Sequence, residues 1–309
     1  MTQPEDRAPF GRLLTAMVTP FTPAGELDLD GAQRLATHLV DEQRNDGLVV
    51  SGTTGESPTT SDEEKDRLLG AVVEAVGDRA AVLAGVGTND TAHTVHLARA
   101  AEKAGADGLL VVTPYYSRPP QAGLLAHFRT VADATGLPSM LYDIPGRTGV
   151  EIATDTLLRL AEHPRIVAVK DAKDSLPASA VVLARTDLAY YSGTDAVNLP
   201  LLSVGATGFV SVVAHLVGAR LRDLLDAWLA GDAERAREIN AGLLDAYAGV
   251  FRTQGVILTK AALRLAGLPG GPVRPPLVDA TEEQLQTLRT DLAAAGVTFP
   301  GDTFPTGVG

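Results

Sequence analysis

The chain has 309 residues, 45% of them hydrophobic and 21% charged, enough apolar material for one large domain or two ordinary ones. Its net charge of −12 argues against non-specific binding to nucleic acid or to an anionic membrane, so an anionic ligand needs local positive charge in its pocket. No cysteine is present, which excludes disulfide and thiolate chemistry, and a polar start with no apolar run of transmembrane length predicts a cytoplasmic protein with no membrane partner.

Short apolar runs alternate with amphipathic stretches through most of the chain. The runs at 13–19, 47–51, 81–85, 108–112, 138–142, 166–170, 188–192 and 208–212 read as strands. Stretches between them, such as 31–44, 63–76, 91–104 and 121–135, carry helical periodicity. Ser61-Asp62-Glu63-Glu64 has the form of a capping box, and Gly105 and Gly136 stand where helix C-caps belong. Eight strand–helix units at even spacing predict an α/β fold, a (β/α)8 TIM barrel, with an open doubly wound sheet as the alternative that pattern alone leaves. From about Leu221 the strand signal ends. Helical patterns follow at 221–230, 233–250, 255–266 and 281–295, the last opened by a second capping box, Thr281 to Gln284. The expected organisation is a catalytic barrel over 10–230, a C-terminal helical extension over 231–298, and loosely ordered ends at 1–9 and 299–309.

In a parallel barrel the reacting groups gather at the C-terminal ends of the strands. Lys170 ends the run Ile166-Val167-Ala168-Val169-Lys170, which places an amine at the tip of a buried strand. Of the five lysines, Lys65, Lys103, Lys173 and Lys260 are expected among charged, polar or helical surroundings. Lys170 alone is expected where desolvation lowers the pKa and makes the amine a nucleophile for ketones. Other strand ends supply Gly52-Thr53-Thr54-Gly55-Glu56, Tyr142, and Arg147 after a Pro-Gly turn. The Thr53-Thr54 turn offers hydroxyls and backbone N–H groups to a carboxylate, or is a simple turn before a helix. Tyr142 is a proton shuttle or a core phenol, and Arg147 a carboxylate clamp or a solvated loop residue. Glu56 is read as a structural acceptor for its loop. Asp171 should face away from Lys170 by strand alternation. His93 and His96 have helical spacing but no third ligand in the sequence, so no metal site is expected.

These motifs, in this order, resemble the class I pyruvate aldolase family that contains dihydrodipicolinate synthase and N-acetylneuraminate lyase. The likeness runs from about Leu13 to Ala266 and rests on GTTGES (52–57), VTPYYSRPPQ (112–121), LYDIPGRTG (141–149), VAVKDA (167–172), YYSGTDA (190–196) and GATGFVSV (205–212). Thr53-Thr54, Tyr115-Tyr116 and Arg147 favour the synthase branch over the neuraminate lyases and the 2-keto-3-deoxy sugar-acid aldolases, which stand as alternatives. Arg147 decides, because it suits an acceptor with a carboxylate rather than a polyol. The KDAK wording and the composition point to an actinobacterial member. A catalytically silent relative is a third reading, opposed by the intact set of Lys170, Tyr142, Thr53 and Arg147.

The resemblance implies an imine between pyruvate and Lys170, with the pyruvate carboxylate at Thr53 and Thr54 and its surroundings completed by Gly193 and Val210. The derived enamine attacks L-aspartate 4-semialdehyde, whose carboxylate Arg147 holds, on the route to diaminopimelate and lysine. Tyr142, Thr53 and Tyr116 relay protons, and no cofactor is implied. Tyr116 is expected to reach a neighbouring subunit's site in a homotetramer built as a dimer of dimers. Ser57, Asn89 and Tyr115 match the inter-subunit lysine-effector site of the family. Asp62, Lys65 and His93 stand where inhibited enteric members carry two histidines and a glutamate, so weak or absent feedback by lysine is expected.

Overall fold

The apolar runs form strands because both of their faces are covered. In the computed structural model, which describes residues 8–300, they are β1 Leu13–Ala16, β2 Gly47–Val50, β3 Ala81–Gly85, β4 Gly108–Val112, β5 Ser139–Asp143, β6 Ile166–Asp171, β7 Ala189–Ser192 and β8 Gly208–Ser211. All pair in parallel, in chain order, and β8 returns to β1 with Leu14 opposite Val210, which closes the barrel and rules out the open sheet. Burial on both faces explains runs such as Gly-Leu-Val-Val in β2, every residue of which is buried.

The helices that cover the barrel are α1 Leu29–Asp41, α2 Asp62–Val76, α3 Thr91–Lys103, α4 Gln121–Asp133, α5 Pro145–Thr148, α6 Thr154–Leu160, α7 Leu176–Arg185, α8 Asn198–Ser203 and α9 Ala214–Leu229. The extension adds α10 Ala233–Ala241, α11 Leu244–Val250, α12 Gly255–Leu265 and α13 Glu282–Ala294. Both capping boxes form: the hydroxyls of Ser61 and Thr281 accept from the N–H groups of Glu64 and Gln284, whose side chains accept in return. Gly105 takes a left-handed φ of 89° after α3, as a C-cap glycine should. Gly136 does not; α4 ends on right-handed Ala134, and the Gly136 N–H donates to Glu102 Oε1 at 2.7 Å. The helix expected over 233–250 is two, α10 and α11, because the chain turns at Gly242-Leu243 while the apolar positions continue through the break. The expected loose ends fall mainly on residues 1–7 and 301–309, outside the described residues, while Phe299 is buried against the C-terminal helices.

One apolar cluster lies between the barrel and α1 to α4, α6 and α7; a second fills the barrel and continues under α9. The first-to-last seam is tightly built. A Cβ on Gly208 would sit 1.9 Å from the Arg12 carbonyl oxygen, so only glycine lets β8 approach β1, and the Phe209 N–H then donates to that oxygen at 2.8 Å. At the mouth, buried His215 bridges the same strands: the Val18 N–H donates to Nε2 at 3.1 Å, and Nδ1 lies 2.7 Å from the Val212 carbonyl. Those partners fix the neutral tautomer with the proton on Nδ1, and burial lowers the pKa of this histidine to about 4. No helix among the described residues is long and apolar enough to cross a membrane.

Candidate active site

Register brings the principal groups together. Tyr142 on β5 is the direct partner of Lys170 on β6, and side chains in register on neighbouring parallel strands share a face. The Lys170 Nζ accordingly lies over the Tyr142 ring, 4.2 Å from its centroid. Thr53, Thr54, Arg147 and Gly193 join them around one cavity of about 490 Å³ at the C-terminal ends of the strands. A second cavity of about 360 Å³ shares Thr53, Tyr142, Ile144 and Arg147 and continues past Tyr115, Tyr116 and Ser57.

Burial dominates the electrostatics of the pair. The Lys170 amine is lowered from the ordinary 10.5 to about 8 by desolvation; Asp195 opposes the shift and the Arg147 charge adds to it. The Tyr142 phenol is pushed up to about 12, again chiefly by burial, against the nearby Arg147 charge and a hydrogen bond with the Thr53 side chain. At neutral pH the phenol keeps its proton and part of the lysine population is neutral. An amine that is a free base for part of the time, beside a protonated phenol, is an arrangement suited to attack on a ketone with proton return to the carbinolamine.

The remaining candidates occupy distinct places. Gly193 lies against the lysine stem: an added Cβ would stand 3.0 Å from both Lys170 Cγ and Cε. Its N–H donates to the Asp171 carbonyl at 2.7 Å, which holds the β7 end beside β6. Val210 is fully buried in the barrel, while Val212 of the same strand end lines the cavity. Tyr116 is 89% exposed and takes a left-handed φ of 69°, so this chain alone gives its ring little cover. Asp171 faces away from Lys170 as strand alternation requires, accepting from Ser179 Oγ at 2.5 Å and from the Lys173 N–H at 2.8 Å.

Two expectations about lysine are corrected. Lys260 is fully buried, and desolvation lowers its pKa to about 8 despite a Glu56 carboxylate oxygen 2.5 Å away. Helix α12 is enclosed along most of its length, which its helical pattern alone did not reveal. Lys173, expected in a polar setting, forms a nearly buried ion pair with Asp143 at 3.3 Å. Lys170 is therefore not the only desolvated amine, but Lys260 is held against a carboxylate and lines neither cavity.

Sequence reasoning missed Asp195 and the wall from α11. Asp195 is buried and accepts from Ser211 Oγ at 2.5 Å, from the Val212 and Val213 N–H groups at 3.0 and 3.1 Å, and from Asn198 Nδ2 at 3.3 Å. It ties the ends of β7 and β8 together beneath the lysine. Its place inside the YYSGTDA motif was the available signal. Leu244, Tyr247, Ala248 and Phe251 close one side of the larger cavity, and nothing local marks α11 as facing the barrel mouth.

Comparison with known proteins identifies the family. The model of the dihydrodipicolinate synthetase family matches residues 9–295. A 4-hydroxy-tetrahydrodipicolinate synthase of the actinobacterium Acidothermus cellulolyticus is 70% identical over 291 residues, 94% of either chain. A second, from Streptomyces coelicolor, is 65% identical over 94% of this chain and 97% of its own. The crystal structure of DHDPS from Cyanidioschyzon merolae with lysine bound superposes with a TM-score of 0.92 at 43% identity, covering 94% of this chain and all of that one. The chloride-inhibited enzyme of Acinetobacter baumannii complexed with pyruvate gives 0.90 at 34% identity, with the same coverage. Fold and sequence thus converge, and the chain belongs to the dihydrodipicolinate synthetase family of class I aldolase-type lyases.

Proposed function

We propose that this chain is a 4-hydroxy-tetrahydrodipicolinate synthase that condenses pyruvate with L-aspartate 4-semialdehyde through an imine on Lys170. The observation that carries the reading is the desolvated Lys170 amine over the Tyr142 ring, in a cavity that also holds Thr53, Thr54 and Arg147.

The neutral amine attacks the pyruvate ketone, and Tyr142, hydrogen-bonded with Thr53, protonates the departing hydroxyl so that water leaves and the imine forms. The iminium draws electrons from the methyl carbon, which loses a proton to the Tyr142 phenolate left by the preceding step and gives the enamine. The enamine carbon bonds to the aldehyde carbon, and the resulting alkoxide takes a proton through the same phenol. Attack of the acceptor's own amine on the imine carbon closes the ring and expels Lys170 as a free amine. Thr53 and Thr54 hold the keto-acid carboxylate, and Arg147 holds that of the acceptor. Exposed Tyr116 joins the proton relay of a neighbouring copy, which asks for at least a dimer, the unit from which the family resemblance implies a homotetramer. A cytoplasmic setting suits a chain without cysteine.

The acceptor is a small carboxylate rather than a polyol. Ile144, Ala172, Val212, Leu244, Ala248 and Phe251 make much of the cavity lining apolar, with Thr194 and Tyr247 among its polar members, and the Arg147 charge is the feature that favours a carboxylate. Borohydride reduction in the presence of pyruvate, followed by peptide mass analysis, tests the imine; an adduct on Lys170 is expected, and a chain that traps no pyruvate at that residue sinks the reading. Turnover of aspartate semialdehyde against 2-keto-3-deoxy acids tests the acceptor, and preference for the latter would reassign the enzyme to the sugar-acid aldolases.

A further inference from the structure

We propose that Glu56 and Lys260 are positioning residues for the keto acid: their buried ion pair fastens the Thr53-Thr54 turn to the C-terminal extension and sets where the carboxylate sits relative to Lys170. The inference rests on the carboxylate role of that turn proposed above.

Glu56 has a left-handed φ of 55°, a conformation that costs free energy in a non-glycine residue and persists where surrounding contacts over-determine it. Those contacts are present on both carboxylate oxygens. Oε1 lies 2.5 Å from Lys260 Nζ, and Oε2 accepts the Arg274 N–H at 2.8 Å. Lys260 Nζ also donates to the Pro272 carbonyl at 2.8 Å and lies over the Phe21 ring, as does the Arg274 guanidinium. That guanidinium in turn meets both oxygens of Glu64 and the carbonyl of Gly25. The turn is thus backed by groups from α12, the segment after it, α2 and the loop after β1.

The backbone transmits the restraint. The Glu56 N–H donates to the Thr53 carbonyl at 3.2 Å, the Ser57 N–H to the Gly52 carbonyl at 3.3 Å, and Thr19 Oγ1 to the Gly55 carbonyl at 2.6 Å. A shift of Glu56 therefore moves Thr53. Stability does not account for the pair, because burying two charges costs about as much as their attraction returns and an apolar pair of like volume is commonly as stable. What it adds is geometry: a directional restraint on one strained residue next to the hydroxyls.

The test uses the full-length chain with E56Q, K260M and the double variant E56Q/K260M. The amide introduced by E56Q keeps an acceptor for the Arg274 N–H, and the double variant removes both charges, so no unpaired charge is left to unfold it. Two readouts are the pyruvate concentration for half-maximal borohydride trapping on Lys170, and KM for pyruvate against kcat. All three variants are expected to raise the half-saturating pyruvate about tenfold, with a smaller fall in kcat at saturation, as for lost ground-state positioning. The double variant is expected to regain the melting temperature lost in the singles without regaining pyruvate affinity, a split that a purely structural role does not produce. A folded double variant with half-saturation within about twofold of the parent overturns the proposal. Absence of any Lys170 adduct in the parent chain overturns the imine reading, and this one with it.

Discussion

In the proposed mechanism a single amine carries the chemistry, and its neighbours set its protonation. With the Lys170 pKa at about 8, roughly a tenth of the population is the free base at pH 7. Because burial has lowered this pKa, the ammonium form prevails below pH 8, and the nucleophile grows from about half of the population there to about nine tenths at pH 9. The rate of pyruvate adduct formation under borohydride should therefore climb about tenfold per pH unit below pH 7 and level off past pH 8. A rate that keeps climbing tenfold per unit through pH 9 would show that the amine retains its ordinary pKa and that desolvation does not control it. Gly193 is the second lever at this scale. Gly193→Ala places a methyl 3.0 Å from two carbons of the lysine stem, so the stem must move. The methyl also stands 3.1 Å from the Asp171 carbonyl, so a loss of about tenfold in kcat is expected with a proportionately smaller fall in melting temperature, measured by steady-state kinetics beside thermal unfolding. Lys170 and Tyr142 were legible in the sequence because each ends an apolar run, and strand period plus register then forces their meeting. The Lys260–Glu56 pair was not, because it joins residues far apart in sequence and a helical pattern does not reveal how completely its helix is enclosed.

At the level of elements, buried strands and long helices were both readable, the helices α2, α3, α12 and α13 to within a residue at each end, while the first run, 13–19, overshot β1. Runs such as 81–85 and 108–112 coincide with β3 and β4, since a strand buried on both faces has no polar residue to blur its ends. Short helices behave differently. Neither α5 nor α8 carries enough turns for a periodicity, and α10 and α11 merge in the pattern because the chain bends without interrupting its apolar spacing. This matters for the site, since α11 supplies the apolar wall and α5 carries Arg147 in its single turn. That short helix starts at Pro145 and stops at left-handed Gly149, so Arg147 extends from a stiff, self-limiting support. Arg147→Ala is expected to raise KM for aspartate semialdehyde by about 100-fold while leaving borohydride trapping of pyruvate within a few-fold. Equal losses for both substrates would assign the arginine to the keto acid instead.

For the molecule as a whole, regulation and closure follow from where surfaces meet. Ser57 and Tyr115 line the smaller cavity, whereas Asp62 and His93 are paired with each other at 2.8 Å and the Lys65 ammonium donates to the Thr60 carbonyl at 2.5 Å. Side chains already engaged in this way are poorly placed to receive an amino-acid effector. L-lysine at millimolar concentration should lower the rate by less than about twofold, equivalent to less than about 0.4 kcal/mol, in an initial-velocity titration. Strong inhibition would mean that the Asp62–His93 contact opens for the ligand. The β1–β8 seam has a different consequence. Its first strand leaves the ribosome long before its last, so the nascent chain must carry an unpaired edge until nearly all of the barrel has been made. Only the final stitch at Gly208 removes that sticky border and dries the interior, so the reactive mouth cannot be complete before the eighth strand has emerged.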